Sequence, residues 1–162
     1  MKVKVEKSRI EDVPHIHKLI NHFADKDEML PRALSQIYEN LRDFFVVRDK
    51  SGVVVACASL HIYWDDMAEI RGVAVSDKSQ GKGLGASLVK ACIDEARELH
   101  IPTVFCLTYN PNFFKRVGFE PIDKLNLPRK VWAECYSCPK FPNCDEVALV
   151  CKVSGEAGGA SK

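Results

Sequence analysis

The stretch Gln80-Gly81-Lys82-Gly83-Leu84-Gly85 lies between a predicted strand that ends at Val75 and a predicted helix that begins near Leu84. Alternating glycines let a backbone approach a ligand without interference from Cβ atoms, and the free N–H groups of a helix start point the same way. Such a turn binds phosphate oxygens, and Gln80 and Lys82 would add a donor and a positive charge at its rim. An ordinary tight turn is the alternative interpretation.

The glycine spacing excludes two common nucleotide-binding motifs. The dinucleotide-binding fingerprint places its third glycine three residues after the second, whereas Gly85 follows Gly83 by two. The P-loop ends in Gly-Lys-Ser or Gly-Lys-Thr, which this turn lacks. A ligand class therefore has to come from the elements around the turn.

The surrounding chain predicts an α/β fold with a mixed sheet. Apolar residues at steps of three and four predict a helix that follows Asp12 as its cap. Further helices are expected over 35–41, 84–99 and 111–117, and strands over 3–5, 44–47, 53–63, 68–75, 102–108 and 146–153. A hairpin at 64–67 makes the middle an antiparallel meander, and the following strand, helix and strand imply a parallel pair joined by a crossover.

Length and charge indicate one compact domain. The 162 residues carry 23 basic and 22 acidic side chains, a formal net charge of +1. This balance excludes nucleic-acid or membrane binding that is driven by bulk charge. No apolar run reaches the length of a membrane span, so we expect a cytoplasmic protein. The domain is expected to cover residues 1–153, and residues 154–162 are expected to be a disordered tail.

The odd number of seven cysteines argues against a disulfide framework. Three lie inside apolar runs and are expected to be small core residues: Cys57, Cys92 and Cys106. Cys135, Cys138 and Cys144 lie in a turn-rich segment, and Cys151 would have to supply the fourth ligand of a zinc site. We expect no metal, with zinc binding and redox chemistry as the alternatives for this segment.

The order of these elements resembles the GNAT superfamily of acetyl-coenzyme A dependent N-acetyltransferases. The turn at 80–85 fits the superfamily signature Gln/Arg-x-x-Gly-x-Gly/Ala, the segment 70–75 looks like its fourth strand, and the segment 113–119 resembles its next hallmark. The resemblance implies a central mixed sheet of six to seven strands flanked by helices, with acetyl-CoA as co-substrate. Homodimers are common in the superfamily, so a homodimer is possible here.

The resemblance also assigns the coenzyme A contacts. The pantetheine arm would pair with the fourth strand, and the pyrophosphate would lie on the glycine turn. The residues implied are Val73, Ala74, Val75, Gln80, Gly81, Lys82, Gly83, Leu84, Gly85 and Phe114.

Three segments narrow the resemblance to short, stand-alone N-acetylglutamate synthases: 30–32, 69–75 and 107–109. This resemblance implies direct transfer of acetyl, in a ternary complex, to the α-amine of L-glutamate, the first step of arginine biosynthesis. Glutamine, another amino acid or a polyamine is the alternative acceptor, the last because Asp65, Asp66 and Glu69 are acidic. A non-catalytic acetyl-CoA sensor is a further alternative.

The acceptor pocket would need cations, because glutamate carries two carboxylates. Leu30 and Arg32 are implied to bind the acceptor, together with Arg71 and, in the late loop, Lys140. Glu69 and Arg71 share a face of one predicted strand, so Glu69 is either the general base that the resemblance implies or the salt-bridge partner of Arg71.

Transfer also generates an oxyanion and a thiolate. Strand N–H groups near Val73 would stabilise the oxyanion if a bulge frees them from the ladder. Many members of the superfamily protonate the thiolate with a tyrosine, but Phe114 occupies that position here. Thr108 or Tyr109 is the replacement that we expect.

Overall fold

A computed structural model describes residues 3–26, 28–127 and 146–153. Among these residues, the strands are β1 (Glu6–Lys7), β2 (Phe44–Arg48), β3 (Val54–Trp64), β4 (Met67–Val75), β5 (Thr103–Thr108), β6 (Glu120–Pro121) and β7 (Val147–Lys152). The helices of the described residues are α1 (Val13–Ala24), α2 (Leu34–Glu39), α3 (Leu84–Glu98) and α4 (Pro111–Arg116). The predicted α/β fold with a mixed sheet is confirmed. The first strand was expected over 3–5 and lies later, and β6 was not predicted.

The described strands form one seven-stranded sheet in the order β1, β2, β3, β4, β5, β7, β6. Strands β1 to β4 pair antiparallel, and the predicted hairpin brings Trp64 opposite Met67. The chain then crosses over through α3, so that β5 runs parallel to β4. Antiparallel pairing resumes from β5 to β7 and from β7 to β6.

Helices cover both faces of the sheet. On one face, the apolar stripe of α1 is buried with Ile37 of α2 against β2 and β3, through Val13, Ile16, Leu19, Ile20 and Phe23. On the other face, α3 and α4 pack through Leu84, Leu88, Val89, Cys92, Ala96 and Phe114. Burial of such stripes drives the helices onto the sheet.

The prediction that Asp12 caps α1 is wrong in its detail. Asp12 precedes α1, but its carboxylate makes no capping hydrogen bond to that helix. It accepts two hydrogen bonds from the Arg48 guanidinium, at 2.9 and 2.6 Å, and one from the backbone N–H of Arg9 at 2.7 Å. Burial alone would raise the pKa of Asp12, but these hydrogen bonds outweigh burial and lower it. A charged partner on β2 therefore competes successfully with the helix N-terminus.

The three cysteines expected in the core are buried, as predicted. Desolvation raises the pKa of Cys57 to about 12 and raises the pKa of Cys92 and Cys106 as well, so none of these thiols is a ready nucleophile. The described residues contain no cluster of three or more metal-ligating side chains. Cys135, Cys138 and Cys144, like the predicted tail at 154–162, lie outside the described residues.

The lengths and hydropathy of the described helices bear on membrane insertion. None of them combines the length and the apolar character that crossing a membrane requires.

Candidate active site

Strands β4 and β5 separate along their length. Their parallel pairing covers the first three residues of each strand, and its last pair is Glu69 with Phe105. Both strands are fully described, and β4 runs on to Val75 and β5 to Thr108 without further pairing to each other. A gap therefore opens between them at their carboxyl ends, the edge at which open α/β sheets bind ligands.

The other side of β4 carries a β-bulge. Cys57 of β3 pairs with Ala74, but Ser59 pairs with Arg71, so two residues of β4 stand opposite one residue of β3. Gly72, one of the two, has a φ of +69°, a conformation that glycine adopts without strain. Such a bulge bends the strand and interrupts the regular ladder. The bulge that the predicted oxyanion role required is therefore present.

Two side chains of β3 hold the bulge in place. The Ser59 hydroxyl donates to the Arg71 carbonyl oxygen at 2.8 Å, and the Cys57 thiol donates to the Gly72 carbonyl oxygen at 3.4 Å. These two side-chain bonds fix the peptide groups that precede Val73. The backbone at Val73 is thereby oriented at the edge of the gap.

The glycine turn lies at the carboxyl end of β4. Gly81 and Gly83 have φ of +81° and +79°, and a Cβ on either would meet no atom within 4 Å. The side-chain amide of Gln80 donates to the Val75 carbonyl oxygen at 3.1 Å, which holds the turn against the end of β4. Lys82 is exposed. The turn thus presents open space and a positive side chain in front of the α3 N-terminus.

The last glycine of the turn has a different role. A Cβ on Gly85 would lie 3.2 Å from two ring atoms of Phe113, so this glycine lets α3 approach α4 closely. Leu84 is buried, and Phe114 is buried with its ring edge-on to Phe113 and Phe119 at 5.0 and 5.3 Å. Sequence reasoning missed the contact with Phe113, for which the sole signal was its place beside Phe114.

Glu69 and Arg71 lie together on one face of β4, as predicted. Their side chains are 9% and 13% exposed, and Nη1 of Arg71 lies 3.7 Å from Oε1 of Glu69. This distance fits an ion pair but exceeds that of a hydrogen bond. The guanidinium offsets the cost of burying the carboxylate. A buried carboxylate therefore stands where β4 leaves β5.

A histidine faces this carboxylate from the neighbouring strand. His61 of β3 pairs directly with Glu69, and its Nδ1 lies 3.0 Å from Oδ2 of Asp43. The imidazole also packs edge-on against the Tyr63 ring, with centroids 5.1 Å apart. Sequence reasoning missed His61 and Asp43. The alternation of Ser59, His61 and Tyr63 along β3 was a signal that could have indicated His61, whereas no local pattern indicated Asp43.

The segment after α1 holds two of the predicted acceptor residues. Leu30 and Arg32 are half-buried. The Asn21 side chain donates to the Arg32 carbonyl oxygen at 3.0 Å and accepts from the Arg32 N–H at 3.2 Å, so it anchors this segment to α1. Asn21 was not singled out from the sequence. Lys140, the other loop residue predicted to bind the acceptor, lies outside the described residues.

Thr108 and Tyr109 lie at the carboxyl end of β5, across the gap from the end of β4. Oγ1 of Thr108 accepts a hydrogen bond from the N–H of Asn110 at 2.9 Å, which leaves its hydroxyl proton available for donation. Tyr109 is half-buried, and its hydroxyl oxygen is buried. Thr108 therefore offers a hydroxyl group at this edge, whereas the Tyr109 hydroxyl oxygen is enclosed by protein.

The three acidic residues on which the alternative polyamine acceptor depends lie in different environments. Asp65 and Asp66 are exposed in the turn between β3 and β4, whereas Glu69 is buried on the sheet.

Comparison with known proteins adds a family context. The model of the acetyltransferase (GNAT) family matches residues 10–119. An uncharacterised N-acetyltransferase from Chlorobaculum tepidum is 38% identical over 146 residues, which cover 90% of this chain and 94% of that protein. An amino-acid acetyltransferase from Mycobacterium tuberculosis is 37% identical over 132 residues, which cover 80% of this chain and 75% of that protein.

A solved structure gives the same context in three dimensions. N-acetylglutamate synthase from Neisseria gonorrhoeae, complexed with coenzyme A and N-acetyl-glutamate, matches with a TM-score of 0.84 at 25% sequence identity. The match covers 95% of this chain and 36% of the synthase chain, so this chain spans little more than a third of that protein.

Proposed function

The chain belongs to the acetyltransferase (GNAT) family, and we propose that, as an acetyl-CoA-dependent amino-acid N-acetyltransferase, it acetylates the α-amine of L-glutamate. The observation that carries this proposal is the buried pair of Glu69 and Arg71 at the point where β4 leaves β5. The amino-acid acetyltransferase and N-acetylglutamate synthase relatives support the acceptor class. With L-glutamate as acceptor, the reaction is the first step of arginine biosynthesis. A homodimer and a cytoplasmic location stay predictions.

The residues along the gap fit coenzyme A. Acetyl-CoA supplies the acetyl group as an activated thioester. We assign the backbone of 73–75 to the pantetheine arm, because the bulge and the lack of pairing with β5 free this edge of β4. We assign the turn at 80–85 to the pyrophosphate, because open space at Gly81 and Gly83 leads to the α3 N-terminus. Leu84 and Gly85 would contribute backbone groups, since the Leu84 side chain is buried and Gly85 packs on Phe113.

Guanidinium groups are suited to the acceptor carboxylates. We assign Arg32 and Arg71 to the two carboxylates of glutamate, because a guanidinium binds a planar carboxylate with two parallel hydrogen bonds. Asn21 fixes the backbone of Arg32, so the acceptor segment needs little ordering when the substrate binds. Leu30 and Lys140 complete the proposed acceptor residues.

Glu69 is the general base in this proposal. The acceptor amine arrives as an ammonium at neutral pH, and it must lose a proton before it attacks the thioester. A carboxylate in a sheltered position can take that proton directly or through a water molecule. Negative charge that develops on the thioester oxygen is stabilised by backbone N–H groups near Val73.

Protonation of the departing thiolate is assigned to the end of β5. Phe114 has no proton to give, and its ring is buried in the core. Thr108 and Tyr109 both carry hydroxyl groups at the carboxyl end of β5, and the Tyr109 oxygen is buried. Either hydroxyl can donate, and the demand is modest because a free thiol has a pKa not far above neutrality.

Glutamine is the second acceptor to test, because Arg32 and Arg71 can both serve its single carboxylate. A polyamine requires a pocket lined with carboxylates, and the exposed positions of Asp65 and Asp66 disfavour it. A sensor without catalytic activity would have no need of a buried carboxylate at Glu69.

The proposal is tested by measuring thiol release from acetyl-CoA with L-glutamate, L-glutamine, other amino acids and polyamines as acceptors. We expect the highest kcat/KM with L-glutamate. Arg32→Lys keeps the charge but loses the bidentate geometry, so it should raise the KM for glutamate and leave the KM for acetyl-CoA unchanged. Arg97→Lys, on α3, is the matched control and should change neither constant. Absence of turnover with both glutamate and glutamine would contradict the proposal.

A further inference from the structure

The proposed acetyl transfer, on which this inference rests, removes two protons from the acceptor nitrogen. The acceptor nitrogen changes from an ammonium with three protons to an amide with one. The C–S bond breaks as the C–N bond forms, and the thiolate takes one of the two protons. One proton per turnover must therefore reach the solvent.

The buried position of Glu69 makes this exit a physical problem. The Glu69 side chain is 9% exposed, and Arg71 stands beside it at 3.7 Å. A carboxylate that has accepted a proton in such a position must lose it again before the next turnover. A titratable group between Glu69 and the solvent would provide the route.

His61 has the required position. It is the β3 residue directly opposite Glu69, and Cβ atoms of directly opposite residues in antiparallel strands lie about 4.5–5.5 Å apart. Its side chain is 24% exposed, so the imidazole is more accessible to solvent than the Glu69 carboxylate. An imidazole exchanges protons near neutral pH.

The imidazole is also oriented. Asp43 lies in the short 3-10 helix before β2 and accepts from Nδ1 of His61 at 3.0 Å. A carboxylate can only accept, so the neutral imidazole carries its proton on Nδ1 and leaves Nε2 as a proton acceptor. The Tyr63 ring holds the imidazole plane edge-on.

Charged groups lie near His61 on β4 and in the 3-10 helix before β2. Asp43 and Glu69 are acidic, whereas Arg71 lies two cross-strand pairs further along, opposite Ser59, in contact with Glu69. The Arg42 guanidinium, next to Asp43 in the chain, donates to the Ser8 carbonyl oxygen at 2.7 Å and is thus engaged elsewhere. An imidazolium at this position would lie between two carboxylates.

We propose that His61, oriented by Asp43, relays the proton from Glu69 to the solvent in each turnover. An N–H bond of the ammonium breaks and its proton binds the Glu69 carboxylate. That proton passes to Nε2 of His61, which becomes an imidazolium stabilised by Asp43. Nε2 then releases the proton to water, and Nδ1 keeps its own proton throughout. His61 acts through Glu69, and Asp43 is a positioning residue for His61.

The test is the pH profile of His61→Gln, which preserves a polar side chain but cannot relay protons. With L-glutamate, we expect kcat to fall about tenfold at and below neutral pH, less than the loss expected from removing the base itself. The two profiles should converge at high pH, where hydroxide deprotonates Glu69. Both KM values should stay unchanged, and imidazole added to the buffer should restore kcat.

Asp43→Asn gives a second route to the same answer, because it keeps the imidazole but no longer fixes its tautomer. We expect a loss in kcat of about threefold that added imidazole also restores. His100→Asn is the matched control, since His100 is an exposed histidine at the end of α3. It should leave kcat and its pH profile unchanged.

The possible outcomes distinguish a failure of the relay from a failure of the proposed function. A normal pH profile of His61→Gln in an active enzyme would contradict the relay and leave the proposed function intact. A loss of kcat in a folded variant that imidazole does not restore would also contradict the relay. If His61→Gln does not fold, unchanged kcat in Asp43→Asn contradicts it. No turnover of any amino acid by the unaltered protein would overturn the proposed function and the relay together.

Discussion

The two halves of β4 differ in what surrounds them. The first half, Met67–Glu69, pairs with β3 on one side and with β5 on the other. The second half, residues 70–75, carries the bulge against β3 and has no pairing with β5, and both strands are fully described. Neighbouring strands on both sides fix a charged side chain in a buried place, whereas the absence of β5 on one side leaves backbone groups for a ligand. One strand thereby supplies both the proposed base and the proposed coenzyme A contacts.

Replacing Glu69 removes the proposed general base from the first half of β4 and should have the largest effect on activity. We expect Glu69→Gln to lower kcat with L-glutamate by about 10²- to 10³-fold at neutral pH, because a positioned base contributes on that scale. The loss should be smaller at high pH, where the amine is already neutral, and the KM for acetyl-CoA should be unchanged. The pH dependence of kcat for both proteins checks this. Parallel profiles would exclude Glu69 as the base.

Asp12→Asn should weaken the helical layer behind the sheet while leaving β4 intact. The substitution leaves the Arg48 guanidinium without its buried carboxylate, which costs about 3 kcal/mol of the free energy of unfolding. Because the folded-state pKa of Asp12 is lowered, its stabilisation is present above the unfolded pKa of about 3.9 and is lost as the pH falls below it. Urea unfolding at neutral and acidic pH should show the variant deficit shrinking in acid. An equal loss of stability at neutral and acidic pH would contradict a stabilising, ionised Asp12.

Gly72→Ala tests the bulge that distinguishes the second half. A residue other than glycine at a φ of +69° costs about 1–2 kcal/mol of stability, and relief of that strain would flatten the bulge. We therefore expect lower stability together with a higher KM for acetyl-CoA. Gly52→Ala is the matched control, because Gly52 has a φ of +90° in an exposed turn. It should lower stability similarly without changing that KM.

The smallest effects should separate two glycines of the turn. Gly83→Ala places a Cβ in open space at a φ of +79°, so we expect a higher KM for acetyl-CoA. Gly85→Ala instead pushes against the Phe113 ring, while alanine favours the helix by about 1 kcal/mol, and the two effects oppose each other. We expect stability to change by less than about 1 kcal/mol, with an unchanged KM. Equal KM values for acetyl-CoA in the two variants would contradict the different roles of Gly83 and Gly85.

Local patterns predicted the fold well. The hairpin at 64–67, the glycine turn and the helix stripes follow from residues close in sequence, and the structure contains all three. The two-residue strand β6 was missed because Glu120–Pro121 is too short to show an alternation. The capping role of Asp12 was wrong because Arg48 is 36 residues away and no local pattern indicates their contact.

Contacts across elements limited what could be predicted of the site. Glu69 and Arg71 were placed correctly because alternation on one strand suffices to put them on one face. Asp43 and His61, 18 residues apart, meet because the short 3-10 helix before β2 brings Asp43 to β3. Asn21 reaches Arg32 through the path of the segment after α1. These contacts depend on register and packing, which residue types alone do not determine.

Residue-resolved amide hydrogen exchange, with and without coenzyme A, tests the division of β4 most directly. Without ligand, the amides of the doubly paired half, Met67–Glu69, should exchange slowly and those near Val73 faster. Coenzyme A should then protect the amides of 73–75 and 80–85 and leave those of Met67–Glu69 unchanged. Protection confined to Met67–Glu69, or no change at 73–75, would contradict the account.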